Sequence, residues 1–195
     1  MNLLDKIVDL INDKVMDGAL HERAFQDGIV NGLSYLTTPK DQSPQRPYII
    51  EGENIIDITI DDTYPFNIYH RCTDITFRDA PASAWGDGDG MIAASFNMLA
   101  VIYGDRFKLG YSQEDLILKL STALNLSLTK TELNNSGLAK VKTTVNKVNN
   151  NPTAVFATEY GASANCPLQM NSIYFSIQYT IDITAHQKCL ECQDC

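Results

Sequence analysis

The opening stretch sets Leu3, Leu4, Ile7, Val8, Leu10, Ile11 and Val15 at helical spacing, with Asp5, Asp9 and Asp13 on the opposite side. That period predicts an amphipathic helix over residues 2–16, which Asn2 can cap and Gly18 would stop. Residues 19–36 carry no decisive period, and a short second helix is one way to read them. Thr37 to Pro47 holds Pro39, Pro44 and Pro47 among polar residues, so it reads as an extended surface connection.

Two strand-like runs follow, residues 55–60 and 66–77, separated by Asp61-Asp62-Thr63-Tyr64-Pro65. A polar turn closed by proline predicts that they form an antiparallel pair. In the second run neither alternate set is uniformly apolar, since Phe66, Ile68, His70, Cys72 and Asp74 oppose Asn67, Tyr69, Arg71, Thr73 and Ile75. Such a strand is buried at one end only or lies against a partner chain. Residues 79–90, small and polar apart from Trp85, read as a long exposed loop. From Met91 to Tyr103 no residue is charged, which suits a central strand buried on both faces.

Ser112 begins Ser-Gln-Glu-Asp, a capping residue with acids in the first turn, and predicts a helix over 113–125. Leu138 to Val148 alternates and carries three lysines and no acid; with Asn149-Asn150-Asn151-Pro152 as a turn and 153–160 as a second arm, it reads as a hairpin. The plainest element is the last. Ile173, Phe175, Ile177, Tyr179, Ile181 and Ile183 form one face, expected to be core, and Tyr174, Ser176, Gln178, Thr180, Asp182 and Thr184 form the other, expected to be wet.

This order predicts an α+β fold: a mostly antiparallel sheet with two main helices packed on one face and a protruding β-hairpin at 138–160. A single domain is expected over residues 1–184, with 185–195 as a flexible Cys-rich C-terminal tail.

Composition narrows the classes. The 195 residues are 44% hydrophobic and 20% charged, an ordinary globular balance. Fifteen Lys and Arg against 24 Asp and Glu give a formal charge of −9, so the chain repels phosphate and gains nothing from counterion release. No apolar run approaches the roughly 20 residues that cross a bilayer, and a soluble protein made in a cytoplasm, without a membrane partner, is expected. The charge is unevenly spread: residues 1–62 hold 12 acids and 5 bases, while 138–149 hold Lys140, Lys142 and Lys147 and no acid. These are complementary charges for a contact between copies. Lys140, Lys142, Lys147 and Trp85 are therefore the candidate assembly residues.

Candidate chemistry is sparse. His186, Cys189, Cys192 and Cys195 are zinc-ligand types at consecutive three-residue spacing, which leaves the intervening loops little room to wrap a tetrahedron. Asp87 and Asp89 resemble the start of a calcium loop but lack the later ligands. His21, His70 and His186 are the histidines, none in a nucleophile motif; His70, mid-strand beside Arg71, reads as a hydrogen-bonded structural residue. Phosphate-loop, dinucleotide-fold and His-Glu-x-x-His patterns are missing. The reading is a protein that is not an enzyme and holds no cofactor. Two alternatives are a small metal- or thiol-dependent enzyme using the C-terminal cysteines, and a monomeric adaptor that binds a partner through residues 79–90.

The amphipathic N-terminal helix, Arg46-Pro-Tyr-Ile-Ile leading into a strand, a strand bearing Tyr69-His70-Arg71, a strand ending Leu99-Ala-Val-Ile-Tyr103, a capped helix and a final alternating strand resemble the tail-completion or tail-terminator neck proteins of tailed bacteriophages. The resemblance spans nearly the whole chain and is one of element order and texture; residues 138–160 and the cysteine tail are not part of the general pattern. It implies a structural virion protein made in the host bacterial cytoplasm. It further implies a cyclic homo-oligomer, six or twelve copies, at the head-to-tail junction. The ring would contact other neck, portal or tail proteins, and DNA would pass through it without specific binding. The resemblance supplies no catalytic residues.

Overall fold

The last strand organises the sheet. In the computed structural model, which describes residues 3–18, 28–37, 45–60, 64–79, 91–128, 133, 138–161 and 171–186, the C-terminal alternating segment is strand β8 (Ser172–His186). Its six apolar alternate residues, Ile173 to Ile183, are all buried. β8 pairs antiparallel with β5 (Met91–Asp105) along its whole length, from Met91 opposite His186 to Asp105 opposite Ser172. A period-two pattern this regular admits one register, because a one-residue slip would turn the apolar set to solvent.

Around this pair the remaining strands are β1 (Ile29–Leu36), β2 (Pro47–Glu51), β3 (Asn54–Asp57), β4 (Phe66–Asp79), β6 (Ser127–Leu128) and β7 (Leu138–Asn149). They form one eight-stranded sheet in the order β3-β2-β1-β4-β5-β8-β7-β6. All neighbours are antiparallel except β1 and β4, which run parallel. One row of paired residues crosses seven strands: Ile56, Ile49, Ser34, Arg71, Leu99, Gln178 and Lys147.

Helices α1 (Leu3–Gly18) and α3 (Gln113–Ala123) cover one face of the sheet, as the α+β reading requires. Ile7, Val8, Ile11 and Val15 of α1 and Leu116 and Leu120 of α3 join the apolar face of β8 in the main core. Ser112 caps α3 by accepting from the Asp115 amide. Between β5 and α3, the four-residue α2 (Arg106–Leu109) is capped by Asp105. Gly104 precedes it, and a Cβ there would lie 2.7 Å from Leu109 Cδ1, so that side chain would have to shift. β5 is buried on both faces from Met98 to Tyr103, as its lack of charge predicts.

Several local expectations are corrected. The protruding hairpin at 138–160 does not form: β7 is an interior member of the sheet, and Pro152–Tyr160 is helix α4. Asn151 accepts from the Ala154 amide and Pro152 occupies the first turn, so the Asn-Pro step starts a helix where a turn was expected. α4 lies on the second face, where Val155 and Phe156 bury Tyr174, Val101 and Tyr103 in a smaller core. Hence the outer face of β8 is wet only in part: Tyr174 and Ser176 are buried, while Gln178 and Asp182 are exposed.

The runs 55–60 and 66–77 do not pair. Gly52, at φ 62°, lets β3 fold back on β2 instead, with Glu51 opposite Asn54, and β4 takes β1 and β5 as neighbours. Within 19–36 the described part is a strand, not a helix. β8 continues through Ala185, which is buried, to His186, so the tail does not begin at 185. Residues 80–90 and 187–195 lie outside the described residues.

Because Ile177 is fully buried between helices and sheet, Ile177→Asp is expected to cost roughly 3–5 kcal/mol and to lower the melting temperature by about 10 °C or more. Ile55→Asp, at a side chain 69% exposed, is expected to shift stability by no more than about 0.5 kcal/mol. Thermal denaturation of both variants checks the assignment of faces.

Candidate assembly surface

Three consecutive polar side chains of β4, Tyr69, His70 and Arg71, hold helices to the two faces of the sheet. His70 is fully buried on the α1 side. Its Nε2 lies 2.8 Å from Asn12 Oδ1, an atom that can only accept, so Nε2 carries the proton. Tyr179 then donates its hydroxyl to Nδ1 at 2.9 Å. Asn12 donates onward to the Asn31 carbonyl, and Asn31 to Asn67 Oδ1. Burial pushes the imidazole down to about 4 from its ordinary 6.5, which keeps it neutral, and it meets no solvent.

On the opposite face Arg71 donates to Glu159 of α4 through Nη2 at 2.6 Å, and the Tyr69 hydroxyl donates to the other carboxylate oxygen at 3.3 Å. Burial pushes the Glu159 carboxyl up, partly offset by the Arg71 charge and the two hydrogen bonds. The sequence-level reading of His70 as structural agrees with this geometry. The triplet Tyr69-His70-Arg71 fastens one helix to each side of a single strand.

What the fold leaves exposed lies at the sides of the sheet. β3 is the terminal strand, and its hairpin with β2 exposes Ile50, Ile55 (69%) and Ile56 (40%) beside Glu51 and Glu53. Asp57 of the same hairpin is held by Arg46 at 2.7 Å. Beneath the hairpin a cleft of about 490 Å3 is lined by Asp5 and Asp9 of α1 and by Glu51. Burial, reinforced by the charges of Asp5 and Asp13, pushes the Asp9 carboxyl up. This side of the molecule is acidic.

A second apolar exposure is on β4. Thr73 is an extra residue opposite β5, a bulge that moves Ile75 and Phe77 onto the same face as Phe96 and Ala94. Ile75 is 46% and Phe77 68% exposed, and among the described residues no strand pairs with the outer edge of β4 beyond Arg71. β4 is thus buried at one end only. The alternation in the sequence missed the apolar face because the bulge shifts its phase by one.

The far side is basic. Lys140, Lys142 and Lys147 are all exposed and share one face of β7, paired with Thr184, Asp182 and Gln178. A second bulge, at Asn146, keeps Lys147 in line with the other two. Lys140 and Lys142 line a depression of about 210 Å3 together with Arg78, a neighbour that sequence spacing did not suggest. β6 pairs only with Val141 and Lys142, and the Thr143 amide donates to the Leu126 carbonyl. From Thr144 to Asn149 the outer edge of β7 therefore has no strand partner among the described residues.

The other candidates are less informative. Trp85, Asp87, Asp89, His21, Cys189, Cys192 and Cys195 lie outside the described residues, and His186 is placed only as the last residue of β8. Among the described residues no three His, Cys, Asp or Glu side chains gather as metal ligands, and no helix is long and apolar enough to cross a membrane. No protein-family model matches the chain, and no curated protein sequence matches it.

Two outcomes test the buried groups. With a folded pKa near 4 and an unfolded value near 6.5, His70 binds its proton more tightly in the unfolded chain. Its contribution is complete above about pH 6.5 and declines as pH falls to 4, by on the order of 3 kcal/mol in all. In urea titrations the stability gap between wild type and His70→Gln should therefore narrow from pH 7.5 to 4.5; a constant gap would show that His70 does not titrate with folding. Arg71→Ala strands Glu159 in the core and is expected to cost about 3–5 kcal/mol at neutral pH, less as the carboxyl protonates on acidification.

Proposed function

We propose that this protein is a non-enzymatic structural subunit that works by joining copies of itself, as a cyclic homo-oligomer at the head-to-tail junction of a tailed bacteriophage. The observation that carries the reading is the polarity of the sheet: it ends on one side in an acidic hairpin with exposed isoleucines, while near the other side the lysine-bearing β7, beside the two-residue β6, keeps its outer edge open from Thr144 to Asn149 among the described residues. Surfaces of opposite charge on opposite sides suit head-to-tail contacts, and such contacts form rings when the rotation between copies closes.

The resemblance in element order to tail-completion and tail-terminator proteins supplies the place in the particle. A net charge of −9 supports it further, because a ring through which DNA slides should not hold phosphate. The buried histidine and the buried Arg71–Glu159 pair are committed to packing, which leaves the reading to rest on surfaces.

Light scattering on the purified chain tests this. The expected result is a multi-copy species at low salt that shifts toward smaller species as sodium chloride is raised, since exposed charge contacts are screened. A monomer at every concentration and salt would contradict it. A chain truncated after His186 keeps all of the described β8 and is expected to assemble like the full chain; lost assembly or lost metal in the truncation would favour a role for Cys189, Cys192 and Cys195.

A further inference from the structure

We propose that neighbouring copies join by strand addition: β3 of one copy lies antiparallel along the open stretch of β7 of the next, with Ile56 opposite Lys147. The proposal rests on the homo-oligomer reading and names the surfaces through which it operates.

Four features of the fold converge on this pairing. First, both strands offer an unpaired outer edge among the described residues, and they stand on opposite sides of the sheet, as a head-to-tail contact demands. Second, the two edges lie at the same height. Ile56 and Lys147 are the two ends of the row of paired residues that crosses seven strands, so joining them continues the sheet without offset along the strands.

Third, the directions fit. Five of the six pairings between β3 and β7 are antiparallel and one is parallel, so the two strands run in opposite directions within a copy. A neighbour placed by continuing the sheet is therefore added in antiparallel fashion. Ile56 and Lys147 then share a face, and the stem of the lysine covers the isoleucine while its ammonium remains beside Glu51 and Glu53.

Fourth, the charges choose among the possible edge pairings. β7 against β7 sets lysine against lysine, and β3 against β3 joins two acidic hairpins, neither of which carries a lysine. Only β3 against β7 is matched. Lysines and bulges on an exposed edge resist indiscriminate strand pairing. The same lysines accept a partner that brings acids, which makes the edge selective.

Cysteine trapping in the full chain tests the register, using two exposed positions so that folding is preserved. The double variant Ile56→Cys, Lys147→Cys, oxidised at low salt, is expected to give a reducible ladder of covalent dimers, trimers and higher species above the wild-type background. Neither single variant should extend beyond that background. Covalent dimers from Ile56→Cys alone would indicate a two-fold β3–β3 contact and overturn the proposal. If the wild type assembles by light scattering and the double variant gives no ladder, the strand addition is wrong while the oligomer reading stands. If the wild type is a monomer, both fall.

Discussion

The register of β8 between β5 and β7 is the constraint on which the rest depends. Six alternate side chains of β8 form the floor of the main core, and every helix on that face packs on this floor. Fully burying one such side chain is worth about 1.5–3 kcal/mol, so the set outweighs any single surface interaction. With β8 fixed, β5 must run beside it for fifteen residues, β4 beside β5, and the short strands β1, β2 and β3 can only extend the sheet outward from β4. The acidic hairpin at one end, and near the other the stretch of basic β7 that β6 does not cover, are the edges that this order leaves open among the described residues.

The polar residues of β4 show how a sheet covered on both faces tolerates groups that would otherwise be costly to bury. His70 is held neutral between two neutral partners, so no charge is taken into the α1 side. Glu159 does enter a buried position, and there Arg71 and Tyr69 satisfy it. Removing a partner is expensive because the remaining group stays dry and unpaired. Such anchors fix which helix sits over which strand, and they leave the exposed hairpin and the open edge of β7 free of that task.

Legibility in the sequence followed local regularity. α1, α3 and β8 have uninterrupted periods, and each was readable with its buried face. Bulges and caps broke the reading elsewhere. Thr73 shifts the phase of β4, so an apolar set that includes Ile75 and Phe77 looked mixed; Ala139 and Asn146 do the same in β7. Asn151 and Pro152 serve equally well as turn or helix start by composition, and the capping hydrogen bond to Ala154 decides for helix. The pairing of β3 with β2 depends on the left-handed Gly52, which a longer polar turn nearby concealed. Of the candidate assembly residues, Lys140 and Lys142 share a face by spacing alone, whereas Lys147 joins them only through the bulge at Asn146, and the neighbour Arg78 and the acidic cleft opposite arise from elements distant in sequence.

If this chain acts through the two sides of its sheet, as proposed, many copies close around an opening. Electron microscopy of the purified full-length protein at low ionic strength addresses it most directly. Closed rings with a central hole and a repeating subunit are expected; a field of separate single-chain particles under the same conditions would contradict assembly through the sheet edges.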